Sequence, residues 1–272
     1  CGHAGPAGKP CAHPEYCTRL IHSLRLAEKT RSIIAPMATT LSSTQAPESF
    51  RVEVLKAPFN KGSRLTADDW NRLLALTPDA NPFMRHEYLS ALTLSGSATQ
   101  QTGWLAHAMT VWASDVLQAA CMVYVKPHSY GEYVFDFAWA QAYAQHGLAY
   151  YPKAVVAVPF TPVPGPRFLA RSEAARQALV QATIEWSNSQ NLSSMHALFL
   201  SDTDQHTCSQ ADGLTRHTVQ FHWHNGTPRY ASFEAFLGTM SQDKRKKIRQ
   251  ERRKVADAGV TFRHAQGRSI SE

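Results

Sequence analysis

Between Lys126 and Arg167 the chain interleaves ionisable side chains with aromatic rings. Lys126, His128, Glu132, Asp136, Lys153 and Arg167 are set among Tyr130, Tyr133, Phe135, Phe137, Trp139, Tyr143, Tyr150, Tyr151 and Phe160. A core strand would supply the rings without the charges, and a surface loop the charges without so many rings. The mixture suits the wall of a concave site, apolar with a few convergent polar groups. Ionisable residues are seldom placed in such surroundings without a partner or a ligand. Lys126, Ser129, Tyr133, Trp139, Tyr150, Tyr151, Lys153 and Arg167 are therefore candidate substrate-binding residues, while His128, Tyr130, Glu132 and Asp136 can give or take protons. The plainer alternative is a hydrophobic core whose tyrosine hydroxyls reach polar partners at its edge.

A second cluster is electrostatic. Lys244 to Lys254 reads KRKKIRQERRK, eight basic residues against one acid, which equals the +7 formal charge of the whole chain. The remainder sums to about zero, so the basic character is a local patch. Read as a helix with Ile248 and Val255 on one apolar stripe, the run is either a solvated face or a place for phosphate groups. Its anion-binding candidates are Lys244, Arg245, Lys246, Lys247, Arg249, Arg252 and Arg253. Coenzyme A, a tRNA or a nucleotide-linked precursor would each suit it, although no aromatic residue is interleaved for base stacking.

His222 and His224 lie two apart on a predicted strand, so they share a face opposite Trp223 and read as substrate-binding residues of a cleft wall. No third ligand accompanies them, and His3, Cys11, His13 and Cys17 match no common zinc spacing, so no metal is expected. The absence of GxSxG, HExxH, GxxxxGK[ST] and GxGxxG argues against the common hydrolase, metalloprotease, P-loop and dinucleotide-binding readings.

The elements that must position these groups can be read in order. RVEVL from Arg51 alternates as a strand. Thr66 caps a helix to Leu76, and Asn81-Pro82 opens another over Phe83 to Leu94. Trp104 to Trp112 and Val116 to Val125 form a hairpin. Then come a strand from Glu132 to Phe137, a helix from Trp139 to His146 and a strand from Ala154 to Val158. Ser172 caps a long amphipathic helix to Ser189, followed by a buried strand from Met195 to Leu200 and a short helix from Thr203 or Asp204. A strand from His217 to Trp223 and helices capped by Ser232 and Ser241 complete the series, and Val260 to Phe262 opens one more strand.

With 272 residues and 43% apolar composition the chain can build a real core. It has no run of 18 apolar residues, so no transmembrane segment is expected. Five cysteines, three of them before residue 18, do not make a disulfide framework. A reducing, cytoplasmic setting fits.

NPFMRHEYLSAL, TGWLAH, KPHSYGEYVFDFAWAQAY, YYPK, AVPFTPVPGPR, VQFHWHN and KRKKIRQERR resemble the bacterial family of predicted GNAT-like N-acyltransferases. That family is similar to the Fem-type peptidoglycan aminoacyl transferases, which pair two GNAT-like domains. The resemblance covers roughly residues 50–265, and the element order above is also that of the GNAT fold. It implies an α/β fold, a mixed sheet flanked by helices. It further implies an N-acyltransferase that moves an acyl or aminoacyl group to an amine of a small molecule or cell-wall precursor. In such chemistry a carboxylate or histidine takes the amine proton and a tyrosine protonates the leaving group. Glu132, Asp136, His128 and Tyr130 are the candidates, with no role assigned to each.

One departure has a physical consequence. GNAT enzymes hold the coenzyme A pyrophosphate on backbone amides where the long helix begins. Here Pro159, Pro162, Pro164 and Pro166 remove four N–H donors from the corresponding segment. Acyl-CoA or another activated acyl donor would then serve the full-length protein, with none held tightly by this part. The expected layout is a segment over 1–50 that is disordered, non-native or a leader, with translation starting at Met37. A first GNAT-like domain over 51–240, a basic linking helix over 241–258 and the start of a truncated second domain over 259–272 follow. Such a fragment should be catalytically silent. The competing reading is a non-catalytic module recognising a phosphorylated ligand or RNA.

Overall fold

The structure, a computed structural model, describes residues 17–24, 49–56, 58–60, 62–221 and 223–270, with residues 17–24 described by their backbone alone. Among the described residues, the strands are β1 (Cys17–Leu24), β2 (Arg51–Lys56), β3 (Leu105–Ala113), β4 (Val116–Lys126), β5 (Lys153–Val156), β6 (Leu169–Ala170), β7 (Ser194–Leu198) and β8 (Leu214–Val219). The helices are α1 (Ala67–Ala75), α2 (His86–Leu94), α3 (Phe137–Gln145), α4 (Glu173–Ser189), α5 (Asp202–Gln210), α6 (Phe233–Gly238) and α7 (Gln242–Asp257). The chain divides into one unit ending at Gln220 and a second beginning at Phe221.

The first unit is the expected mixed sheet flanked by helices, consistent with a GNAT-like fold. Its order is β2-β3-β4-β5-β7-β1-β8, with β6 also on β4. Neighbours are antiparallel except β5 and β7, which run parallel and are joined through α4, as a parallel pair requires a crossover. The β3–β4 hairpin turns on Ser114 and Asp115, both left-handed (φ 45° and 62°), the geometry that matches strand twist.

Alternation along that hairpin divides the core in two. Met109, Val111, Cys121 and Val123 face the layer of α4, with Leu179 and Val180. Ala108, Met122 and Tyr124 face the opposite layer, which holds Trp70 and Leu73 of α1 and Leu89 of α2. Both faces are covered, so β3 and β4 are buried almost throughout. Ser172 caps α4 by accepting from Ala175 N–H, and Thr66 caps α1 through Asp69 N–H.

Several expectations need correction. Cys17–Leu24, set outside the fold, forms β1 and pairs with both β7 and β8. The helix expected over 83–94 is a 3-10 turn, Pro82–Met84, and then α2, because Arg85 between them is extended. No strand forms over 132–137: Tyr133 and Phe135 are left-handed (φ 62° and 47°), which a strand cannot accommodate. The strand expected over 217–223 ends at Val219, where its partner β1 begins at Cys17. Val260 to Phe262 is not a strand, since Gly259 (φ 73°) closes α7 and the chain beyond finds no ladder.

The second unit is α6 and α7 with their flanking segments. Arg245 donates to the carbonyls of Met240 (2.6 Å) and Gly238 (3.4 Å), satisfying the end of α6. Trp223, Tyr230 and Phe236 make ring contacts with one another, and Phe233 adds another against Phe236. No helix among the described residues is long and apolar enough to cross a membrane.

Candidate functional site

Two lysines face each other across the sheet. Lys126 ends β4 and Lys153 begins β5, and the antiparallel register places them directly opposite. Both are fully buried. Like charges so paired repel and lose their hydration, so each must find compensation nearby. Lys126 lays its ammonium 3.5 Å from the centre of the Trp104 ring and donates to the carbonyls of Gly103 and Tyr130, both at 3.1 Å. Lys153 donates to Ser129 Oγ at 2.8 Å, Glu132 Oε2 at 2.9 Å and Asp136 Oδ2 at 2.5 Å.

The segment carrying those acceptors runs from Ser129 to Asp136, and from Glu132 onward it alternates. Glu132, Val134 and Asp136 turn inward and are buried, while Tyr130, Tyr133, Phe135 and Phe137 stay exposed. The left-handed backbone at Tyr133 and Phe135 belongs to this arrangement, and Phe160, packed on Trp104, is also left-handed (φ 59°). Bulky residues rarely adopt that conformation, and such strain gathers where structure serves function. Gly131 (φ 80°) is required: a Cβ there would lie 2.7 Å from the Phe160 ring.

The two carboxyls are driven apart. Burial lifts Glu132 above the ordinary carboxylate range, against the opposing charge of Lys153. Burial also acts to raise Asp136, but the charge and hydrogen bond of Lys153, aided by Ser129 and Tyr150, outweigh it and leave that carboxyl below its usual range. Burial lowers Lys126 to about 8, and the carboxylate of Glu132 opposes the fall. One acid is held ionised beside one poised to take a proton, the division that acid–base chemistry uses.

Each carboxylate spends one oxygen on Lys153 and leaves the other, Glu132 Oε1 and Asp136 Oδ1, buried with no hydrogen-bond partner. His196 of β7 offers a ring nitrogen, and one ligand atom from each of these three residues lies within 4.8 Å of the others. The trio has the chemistry of a cation site, and the Lys153 ammonium is the cation that already lies between the acids.

Tyr150 is buried and donates to Asp136, and Tyr151 is half-buried with its hydroxyl 2.9 Å from Ser129 Oγ. His128 is half-buried beside Tyr130, with burial lowering it from the usual histidine range. Trp139 is partly exposed on α3. Arg167 is elsewhere, which corrects the expectation that it joins this cleft. Its guanidinium, fully buried, donates to the carbonyls of Leu198, Pro166 and Val163, and its N–H donates to Asp204. Arg167 thus braces the proline segment. His224 lies in an irregular, exposed stretch rather than on a strand, and His222 lies outside the described residues.

The proline segment offers no free amide cradle. Its N–H groups at Phe160, Thr161, Val163 and Gly165 are taken by the carbonyls of Gly131, Val158, Thr161 and Phe199. At the start of α4 an acid, Glu173, follows the Ser172 cap, unfavourable for a pyrophosphate.

The basic run forms α7, with several cations engaged locally. Arg249 meets Glu234 at 2.5 Å, Lys247 meets Glu251 at 4.0 Å and Arg252 lies 4.5 Å over the Phe233 ring. Lys244, Lys246 and Arg253 point to no partner among the described residues. The view that no aromatic residue accompanies the run holds for the linear sequence only, since the fold brings Phe233 to it.

Sequence reading missed His196 and Trp104. His196 was legible only as one polar residue in the apolar run MHALFL, and Trp104 as the start of a strand. A family model for FemAB-like proteins, described as peptidoglycan biosynthesis/recognition, matches residues 62–272. No curated protein and no solved structure matches the chain.

Proposed function

Because this chain belongs to the FemAB-like family of peptidoglycan biosynthesis and recognition, we propose that it is an N-acyltransferase acting on an amine of a cell-wall precursor or related small molecule. The carrying observation is the buried acid pair around Lys153, with Glu132 raised and Asp136 lowered. An amine attacks an acyl carbon only with its lone pair free, so a base must remove its proton. In this reading Glu132 is that base and Asp136 is the fixed counter-ion of Lys153. The amine nitrogen bonds to the acyl carbon, its proton passes to Glu132, and the bond to the leaving oxygen or sulfur breaks. The leaving group takes a proton from a phenol, for which the exposed Tyr130 is the candidate.

Glu132 is buried while its neighbours Tyr130, Tyr133 and Phe135 are exposed, so the acceptor reaches it past these rings. The rings then form the apolar wall against which the acceptor rests. The donor is an activated acyl or aminoacyl group. An acyl-CoA held by its pyrophosphate at α4 is disfavoured by Glu173 and by the occupied amides of the proline segment.

Replacing Glu132 with Gln tests the assignment. In a form of the protein that turns over activated acyl donors with an amine panel, the rate should fall by about 10²–10⁴-fold with the thermal midpoint nearly kept. Turnover equal to the unsubstituted protein would sink it. The complete burial of the acid pair favours one second reading, a recognition module whose lysine cluster only secures the ring-bearing segment. In that case no acyl transfer is detected, while acceptor affinity falls with Tyr133 or Phe135 truncation.

A further inference from the structure

The second unit carries most of the charge and almost no core. Residues 221–272 hold eleven Lys and Arg against five Asp and Glu, a net +6 of the chain's +7. Leu237 is the single buried residue among those described in it. The C-terminal end of α7 concentrates both properties. There Gly259 N–H bonds the Ala256 carbonyl and Val260 N–H the Val255 carbonyl, a Schellman closure that brings the two valines together. Val255, Val260 and Phe262 are 38%, 50% and 85% exposed, and Arg252, Arg253, Lys254 and Arg263 border them in sequence, with Asp257 the one acid between Arg252 and Arg263.

We propose that this end of α7 docks the protein on an anionic lipid bilayer, with Val255, Val260 and Phe262 entering the headgroup region and the surrounding cations on lipid phosphates. An apolar tip framed by Lys and Arg is the composition of an interfacial anchor. A second copy is a poor occupant, because two faces of net +6 repel. Single-stranded RNA would use the cations and could stack a base on the Phe262 ring, but it would leave Val255 and Val260 uncovered, whereas a bilayer takes all three apolar side chains. Arg253 and Lys254 are the cations to remove, since neither enters an ion pair among the described residues.

The test is cosedimentation of the whole chain with phosphatidylcholine vesicles, with and without phosphatidylglycerol, at low and moderate salt. Binding is expected only with phosphatidylglycerol and should weaken as salt rises. Converting Arg253 and Lys254 to Gln should weaken it about fivefold each, on the order of 25-fold together. Val260→Ser with Phe262→Ser should also weaken it at unchanged charge, which separates lipid insertion from simple anion attraction. Inorganic phosphate and a single-stranded RNA serve as competitors. Failure to bind anionic vesicles overturns the proposal, as does indifference to the Val260 and Phe262 replacements. So does RNA binding that exceeds vesicle binding. None of these outcomes depends on whether Glu132 is a base.

Discussion

Tyr150 donates its hydroxyl to Oδ2 of Asp136 at 2.8 Å, the same oxygen that Lys153 reaches at 2.5 Å. Asp136 is thereby held by two donors on one atom, while Glu132 has only Lys153. The second donor adds to the lowering of Asp136 by Lys153, while burial, the largest influence on Glu132, raises that acid. Lys153, bonded to both acids, is the group on which the buried cluster depends.

Replacing Lys153 with Met should therefore destabilise the protein by about 3–5 kcal/mol, since it leaves two buried carboxyls without their cation. Urea denaturation would measure this, and the loss should shrink at low pH, where the carboxyls are neutral. A loss below 1 kcal/mol, in the range of exposed ion pairs, would mean that water already reaches the cluster.

A second pH effect belongs to Asp204, which accepts from the N–H groups of Arg167 and Phe168. Burial raises it from 3.8 to about 6. A carboxyl whose pKa is raised on folding stabilises the protein most when protonated. Its contribution is complete below pH 3.8 and is lost as pH rises through about 6. The lost amount is roughly 3 kcal/mol at most. Asp204→Asn should flatten stability across that window relative to the unsubstituted protein. An unchanged difference between the two from pH 4 to 7 would remove Asp204 as the cause.

Tyr133 carries left-handed backbone under an exposed ring. Tyr133→Gly removes a strain of about 1–2 kcal/mol against a backbone entropy cost of roughly 0.5–1 kcal/mol, so stability should hold or rise slightly. Under the acyltransferase reading the acceptor KM should rise while kcat changes little. If stability falls instead by several kcal/mol, the ring is structural and the strain has no role in binding.

What could be read from sequence was what repeats locally. The alternation of RVEVL, the hairpin from Trp104 and the Ser172 cap each rest on neighbours in the chain, and each is present in the fold. Glu132 to Phe137 shows the limit of such reading. Its period of two is real and divides the residues by exposure, but the backbone achieves it with left-handed steps instead of a strand. Arg167 fails for another reason. Its charge suggested a ligand, whereas its partners are carbonyls of Val163, Pro166 and Leu198, the last brought close only by tertiary packing. His196 was hidden by its apolar neighbours, because register across β5 and β7, not sequence, brings it toward the acids.

The alternation from Glu132 to Phe137 also works as a ruler. With acids inside and rings outside on every second residue, the segment can neither gain nor lose a single residue between its ends. One insertion would carry the carboxyls of Glu132 and Asp136 out into water and press aromatic rings against the lysine pair. Related chains should therefore keep the spacing between these positions fixed even where the identity of the rings drifts. Length here is under tighter constraint than composition.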